Sequence, residues 1–451
     1  MKFGAALLGA SLAALPAFAD QTGNNKLQAV TVKGNAFFAG DTRFYVRGID
    51  YQPGGSSNLD DPLANPENCR RDVKYFKELG INVVRIYTVD NSKTHDECMN
   101  ELADAGIYLA LDVNTPKYSI NRAEPKESYN DVYLQNVFAT IDAFANYTNT
   151  LLFFSGNEVI NDEKSTGAAP YVKAVTRDMK QYIGSMGYRP IPVGYSAADV
   201  ESNRYETATY MNCGTDDERS DFFAFNDYSW CNPSSFTQSG WDAKVKQYAD
   251  YSIPLFLSEY GCNKGTRTFE EVKSLYGTDM IGVYSGGLVY EWSEEGNKYG
   301  LVEIEGDKVN PKPDYQALKD ALAKTPPPQG DGGYKPNGAP SQCPKKSNTW
   351  DIDTDALPAI PEPAKKYMTE GAGTPKGLNG PGSQNAGTES SGTATAGSGK
   401  VTATASGRGA ASTGGKKTGA AAAVPIPSLE TAPFVCSLVV LVSTFLGAAM
   451  L

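Results

Sequence analysis

Histidine is nearly missing from this chain: His95 is the only one among 451 residues. A Ser-His-Asp triad and a His-rich zinc site both need imidazole, so neither is a workable catalytic centre here. His95 lies in NSKTHDE, among polar residues, and reads as a surface side chain. A surplus of basic charge is absent too. The 41 Lys and Arg are outnumbered by 52 Asp and Glu, a formal net charge of -11, which argues against nucleic acid, since that binding neutralises phosphates with Lys and Arg. The acidity mainly favours solubility. No Gly-rich fingerprint follows an early strand, which weighs against a dinucleotide site on an open doubly wound sheet. No C-x-x-C pair points to a metal, and neither metal nor organic cofactor is implied.

What is present begins with the two ends. Residues 1–19, MKFGAALLGASLAALPAFA, join one lysine to an apolar stretch and to Ala17-Phe18-Ala19, the small-residue pattern of a signal-peptidase site. The mature chain is therefore expected to begin at Asp20. At the other end Phe434–Leu451 is an uncharged apolar run, preceded by a polar spacer and by small residues around Ser412 to Ala423. That order is the signal for a glycosylphosphatidylinositol (GPI) anchor, with Gly419 a candidate attachment residue and residues 424–451 removed. The run is also just long enough to span hydrocarbon, but no basic stop-transfer cluster follows it. The expected location is the outer face of the plasma membrane, reached through the secretory pathway, or the cell wall. Of seven cysteines, Cys436 falls in the tail to be removed. The remaining six imply disulfides in an exported chain, although six cysteines allow fifteen pairings and their spacing does not choose among them. Asn146-Tyr147-Thr148 is a glycosylation sequon.

Composition shifts sharply at Thr325. TPPPQGDGGYKPNGAP, PAIPEPAKK and a Gly, Ser, Thr and Ala tract follow, and such a segment is expected to be a disordered, solvated stalk. The expected organisation is a catalytic domain over residues 20–345, an O-glycosylated stalk with the attachment region over 346–423, and the tail. Within the head, apolar runs at 45–49, 83–87, 108–113, 151–155, 192–195, 222–225, 255–258 and 288–290 read as strands. Helical patterns fall between them at 68–79, 98–105, 131–145, 170–186, 235–251 and 269–276, with a last one near 313–323; the crossover after the fifth strand is unclear. Eight such units in about three hundred residues predict a (β/α)8 TIM barrel.

In a barrel of this kind, residues just beyond the C-terminal ends of strands line the active-site face. LLFFS runs into Gly156-Asn157-Glu158, and LFLS runs into Glu259-Tyr260-Gly261. Each glutamate is thus delivered to the barrel mouth by a buried strand. Two carboxyls converging on one opening are what cleavage of a glycosidic bond needs, one to protonate the leaving oxygen and one to capture the sugar. Glu158 is assigned as acid and base and Glu259 as nucleophile, for which a retaining mechanism predicts a separation of about 5–5.5 Å. Asn157 is placed to bind a sugar hydroxyl. Other strand ends add Tyr51-Gln52, Arg85 with Tyr87, Asp112 with Asn114, Tyr228 with Trp230, and Tyr290-Glu291-Trp292, the aromatic and polar mixture that binds sugars. Glu291, Glu294 and Glu295 are rival carboxylates; Glu291 lies beside the ring wall, and the other two read as loop charges.

FYVRGIDYQPGG, NVVRIYTVD, FFSGNEV, FNDYSWC, LFLSEYGCN and SGGLVYEW, in this order over residues 25 to about 345, resemble the fungal GPI-anchored β-1,3-glucanosyltransferases of the Gas, Gel and Phr type, glycoside hydrolase family 72. The resemblance implies Glu158 as proton donor and Glu259 as nucleophile, with Tyr87, Asn157, Asp199, Arg204 and Tyr290 contacting glucan and Asp112 and Tyr228 as matching cleft positions. It implies disulfides Cys69–Cys98, Cys213–Cys343 and Cys231–Cys262. The lack of cysteine between 343 and 436 matches the subfamily without the C-terminal cysteine-rich module. The implied reaction cuts a β-1,3-glucan donor internally and passes the new end to the non-reducing end of an acceptor glucan, within a monomeric enzyme. Two rival readings are a retaining endo-hydrolase of similar fold and a non-catalytic wall protein that binds glucan; the intact glutamate pair speaks against the second.

Overall fold

The computed structural model describes residues 27–353 and 356–394. The candidate leader at 1–19, Gly419 and the tail 424–451 lie outside the described residues. Among the described residues no helix is long and apolar enough to cross a membrane.

The chain opens with a small antiparallel sheet of β1 (Val30–Lys33), β2 (Ala36–Ala39) and β3 (Thr42–Phe44). Its buried Phe37 packs on Phe222 and Phe256 with ring centroids 6.1 and 5.9 Å apart, and closes the barrel where the strands begin. Eight parallel strands then form a closed barrel: β4 (Val46–Asp50), β5 (Val83–Ile86), β6 (Tyr108–Asp112), β7 (Thr150–Asn157), β8 (Val193–Ala198), β9 (Phe222–Asp227), β10 (Leu255–Tyr260) and β11 (Tyr284–Val289). β11 pairs back onto β4, so no sheet edge remains open. The last strand starts four residues before its expected position. Its Gly286 has φ +94°, and a Cβ there would lie 2.0 Å from the Val46 carbonyl oxygen, so only glycine lets the two strands close the barrel.

Helices α1 (Pro66–Leu79), α2 (Asp96–Asp104), α4 (Asp131–Phe144) and α5 (Ala169–Ser185) follow in the expected places, and a single turn α3 (Pro125–Ser128), not expected from the sequence, precedes α4. Asn65 caps α1 by accepting from the Glu67 and Asn68 amides, and Pro66 presets its first turn. The unclear crossover is α6 (Arg204–Met211). The helix expected over 235–251 shrinks to α7 (Trp241–Gln247), because Gly240, at φ +75°, breaks the pattern on its N-terminal side. α8 (Glu271–Leu275), the hairpin β12 (Val302–Glu305) and β13 (Lys308–Pro311), and α9 (Pro313–Lys324) complete the head. Disulfides Cys69–Cys98, Cys213–Cys343 and Cys231–Cys262 are present, the last joining the loops after β9 and β10.

Two expectations are corrected. His95 is not on the surface. It is 2% exposed, its Nε2 lies 2.8 Å from Asp61 Oδ2, and its ring lies 4.5 Å from Phe144, so a carboxylate partner makes burial of this polar ring affordable. The stalk does not begin at 346. Trp350 is 1% exposed against Tyr210, and β14 (Leu357–Pro358) pairs with β15 (Thr393–Ala394). Between those strands α10 (Tyr367–Glu370) places Met368 in the core, and the Ala372 amide donates to Tyr182 Oη at 2.9 Å. A few large apolar side chains dock a segment whose average composition reads as solvated. The stretch 395–423 lies outside the described residues.

Candidate active site

Both glutamates follow irregularities in their strands. The pairing of β7 with β8 shifts register between Phe154 and Asn157, and that of β10 with β9 shifts between Leu257 and Glu259. Such bulges re-aim the next side chains, here at the mouth of the barrel. Glu158 has φ +49°, a conformation that costs a non-glycine residue about 1–2 kcal/mol. Its amide donates to the Ser196 carbonyl at 2.9 Å, and its own carbonyl accepts from Arg122 Nη2 at 2.9 Å.

At the floor of the site lies Arg85, fully buried on β5. Its guanidinium donates to Asp112 Oδ2 at 2.9 Å and Oδ1 at 3.3 Å, to Glu259 Oε1 at 3.2 Å, and to Asn157 Oδ1 at 2.9 Å. One cation thus links both candidate catalytic strands. Glu259 also accepts from Tyr87 Oη at Oε1, 2.8 Å, and from Tyr228 Oη at Oε2, 2.7 Å. Burial pushes the Glu259 carboxyl up to about 7, and Glu158 adds to the push, while Arg85 and the two tyrosines pull it down. Glu158 Oε1 accepts from the neutral amide of Asn226 at 2.8 Å.

Most of the expected residues are brought together, though some act through others. Asn157 Oδ1 also accepts from Ser196 Oγ at 2.7 Å, which leaves its amide NH2 as the group able to meet a sugar hydroxyl. Both oxygens of Asp112 are taken by Arg85, so this carboxylate orients the arginine. Tyr290, Tyr228 and Tyr299 form an edge-on ring wall with centroids 5.3 to 6.3 Å apart. Asp199 pairs with Arg204 Nε and, at 2.7 Å, with Lys244 Nζ, which also reaches Asp227 Oδ2 at 2.6 Å. This network borders a cavity of about 520 Å³ lined by Glu201, Arg204, Ser229, Ser239, Lys244 and Gln247. A second cavity of about 240 Å³ adjoins Tyr87, Asp112 and Asn157.

The rival carboxylates are otherwise engaged. Glu291 is buried and accepts from Asn297 Nδ2 at 2.6 Å, and burial pushes it up to about 7. Glu294 binds the Gly296 and Lys298 amides and pairs with Lys312, and Glu295 accepts from the Gly54 amide at 2.8 Å. Asp50 was not among the expected site residues. It is fully buried 4.0 Å from Arg85, neither of its oxygens has a hydrogen-bond partner among the described residues, and burial pushes it well above the carboxylate range. Asn226, Ser196, Ser258 and Lys244 were missed as well. Asn226 directly follows the apolar run 222–225, so the strand-end rule that found the glutamates would have found it too. Among the described residues no group of three or more His, Cys, Asp or Glu side chains is placed to hold a metal.

Comparison with known proteins gives a consistent set. A family model described as Glucanosyltransferase matches residues 19–326. The 1,3-beta-glucanosyltransferase gel1 of Aspergillus fumigatus is 70% identical over 352 residues, 78% of this chain and 78% of that protein. The 1,3-beta-glucanosyltransferase GAS5 of Saccharomyces cerevisiae is 54% identical over 365 residues, 80% of this chain and 75% of that protein. Among solved structures, a Glu-to-Gln variant of Saccharomyces cerevisiae Gas2 in complex with laminaritetraose and laminaripentaose superposes with a TM-score of 0.70 at 38% identity, covering 75% of this chain and 76% of that one.

Proposed function

Because the chain belongs to the glucanosyltransferase family, glycoside hydrolase family 72, we propose that Glu259 and Glu158 carry its reaction, as nucleophile and as proton donor and base. The chain is a 1,3-beta-glucanosyltransferase. The observation that carries the role assignment is the unequal donor set. Glu259 receives a guanidinium and two phenols, which favour a carboxylate, whereas the Glu158 carboxyl oxygen receives one neutral amide.

In the first step Glu259 attacks the anomeric carbon of a β-1,3-glucan as Glu158 gives its proton to the departing glycosidic oxygen. Oε2, held among the described residues by Tyr228 alone, is the freer oxygen for this attack. The bond to the leaving chain breaks and a glycosyl ester forms on Glu259. Positive charge developing at the anomeric carbon is met by the Glu259 carboxylate, which Arg85, Tyr87 and Tyr228 hold in place. In the second step the Glu158 carboxylate takes the proton of an acceptor chain's non-reducing-end hydroxyl, that oxygen forms the new β-1,3 bond, and Glu259 leaves as a carboxylate. Transfer must outrun hydrolysis, so the acceptor has to be held beyond the cleavage point. The ring wall of Tyr228, Tyr290 and Tyr299 supplies one surface for this, and Arg204 offers donors in the adjoining cavity.

The same reading has a monomer exported by residues 1–19, glycosylated at the exposed Asn146 and held to the outer membrane face by a GPI anchor near Gly419. The test is product mass. Purified protein incubated with an end-labelled linear β-1,3-gluco-oligosaccharide yields products longer than the substrate, and Glu158→Gln and Glu259→Gln abolish them. Exclusively shorter products would make the chain an endo-hydrolase, and remodelling that survives in Glu259→Gln would remove that residue as nucleophile.

A further inference from the structure

One wall of the cavity beside Asn157 is built by the loop between β6 and α4, through Asn114, Thr115, Pro116, Ser119, Ile120 and Arg122. This loop makes little regular structure of its own: a Thr115–Tyr118 bridge and the single turn of α3. It is instead gripped from outside by residues 377–388. Lys117 Nζ donates to the Leu378 and Gly380 carbonyls at 2.9 and 3.4 Å, and the Ser383 amide donates to the Lys117 carbonyl at 2.9 Å. Gln384 Nε2 donates to the Ser119 carbonyl at 2.8 Å. Asn130, the α4 cap, donates from Nδ2 to the Ser383 carbonyl at 2.7 Å, and the Asp131 amide donates to the Thr388 carbonyl at 3.2 Å.

The gripped loop reaches the strand that ends in Glu158 at two points. Asn114 Nδ2 donates to the Ser155 carbonyl at 3.1 Å, and Arg122 Nη2 holds the carbonyl of Glu158 itself, in its left-handed conformation, at 2.9 Å. We propose that residues 377–388 are a positioning arm for the reaction: they brace the 114–130 loop and, through Arg122, fix the backbone from which Glu158 delivers its proton. Neither Lys117 nor Gln384 lines the cavity, so both act on catalysis through the loop. Arg122 is a positioning residue in the same sense. The proposal rests on the reading of Glu158 as proton donor.

A misplaced acid slows departure of a poor leaving group and spares a good one, which needs no proton. The experiment compares a laminari-oligosaccharide with an activated aryl β-glycoside of the same glycone, using the full secreted chain. Glu158→Gln checks the underlying reading: if it is not spared by the aryl leaving group, Glu158 is not the acid and the proposal falls with that reading. Where it is spared, Arg122→Ala and the pair Lys117→Met with Gln384→Ala each lower kcat/KM on the oligosaccharide by about tenfold, since a misplacement of about 1 Å costs up to about a hundredfold. Each stays within about threefold on the aryl glycoside, and Arg122→Lys recovers most of the loss. Adding Lys117→Met and Gln384→Ala to Arg122→Ala costs little more than Arg122→Ala alone, because residues acting through one path are not additive. Unchanged activity in the arm variants, equal losses on both substrates, or multiplicative losses in the combined variant would each overturn the arm's role. Thermal midpoints of the same variants separate global unfolding, which lowers both activities together, from misplacement.

Discussion

Replacing Tyr228 by Phe deletes one oxygen and keeps the ring that packs against Tyr290 and Tyr299. The lost group is the donor 2.7 Å from Glu259 Oε2, the only side-chain donor on that oxygen among the described residues. A hydrogen bond to a charged group is worth about 1.5–3 kcal/mol, and one pH unit corresponds to about 1.4 kcal/mol. Burial already pushes the Glu259 carboxyl up to about 7, so loss of this donor moves it a further ~1–2 units upward. Protonated Glu259 is no nucleophile, so the acid limb of kcat/KM moves to higher pH by the same amount. Below the limb the variant is slower by about 10–100-fold, and above it the two proteins converge. Initial rates of transfer on a labelled laminari-oligosaccharide, followed across pH, read this directly. A loss of equal size at every pH, with the limb unmoved, would refute the reasoning and place the Tyr228 hydroxyl on the sugar instead of on the carboxylate.

Three further outcomes are expected. Glu271 is buried with Oε2 unpartnered, and burial pushes it from 4.5 to about 7. The folded protein keeps a proton that the unfolded chain releases, so this contribution to stability is complete below about 4.5 and is lost as pH rises through about 7, up to about 3 kcal/mol. Urea midpoints of Glu271→Gln are correspondingly flatter over that window. Asp112→Asn leaves the buried Arg85 short of a counter-charge and lowers stability by about 3 kcal/mol in the same assay, because breaking one side of a buried pair strands the other. Trp350→Ala costs about 3 kcal/mol if residues 346–353 are packed as observed, whereas a solvated stalk would register within about 0.5 kcal/mol.

The barrel was legible because each strand is buried on both faces and therefore reads as a short apolar run, as LLFFS and LFLS do. The helices between were legible from their periodic apolar faces and from caps such as Asn65 before Pro66. Glu158 and Glu259 were legible for a related reason: a carboxylate ending such a run has to emerge at the barrel mouth. Their rival Glu291 also follows a barrel strand, and only its buried bond to Asn297 tells it apart. His95 was misread because its neighbours in sequence are polar, while the groups that enclose it, Asp61 and Phe144, are distant along the chain. The arm was misread for the converse reason, that Pro, Gly and Ser dominate its composition and hide the few side chains that anchor it.

The sequence by itself determined the strand order, the helix order except for the crossover after the fifth strand, the chemistry of the strand ends and the candidate catalytic pair, since these follow from local patterns of burial and from residue type. Only the tertiary structure decided that Arg85 links Asp112, Asn157 and Glu259, that Asn226 serves Glu158, and that a segment beyond residue 370 reaches back to the cleft wall. Each of those contacts joins residues far apart in the chain. Their geometry depends on barrel closure and on the bulges in β7 and β10, which no local pattern encodes.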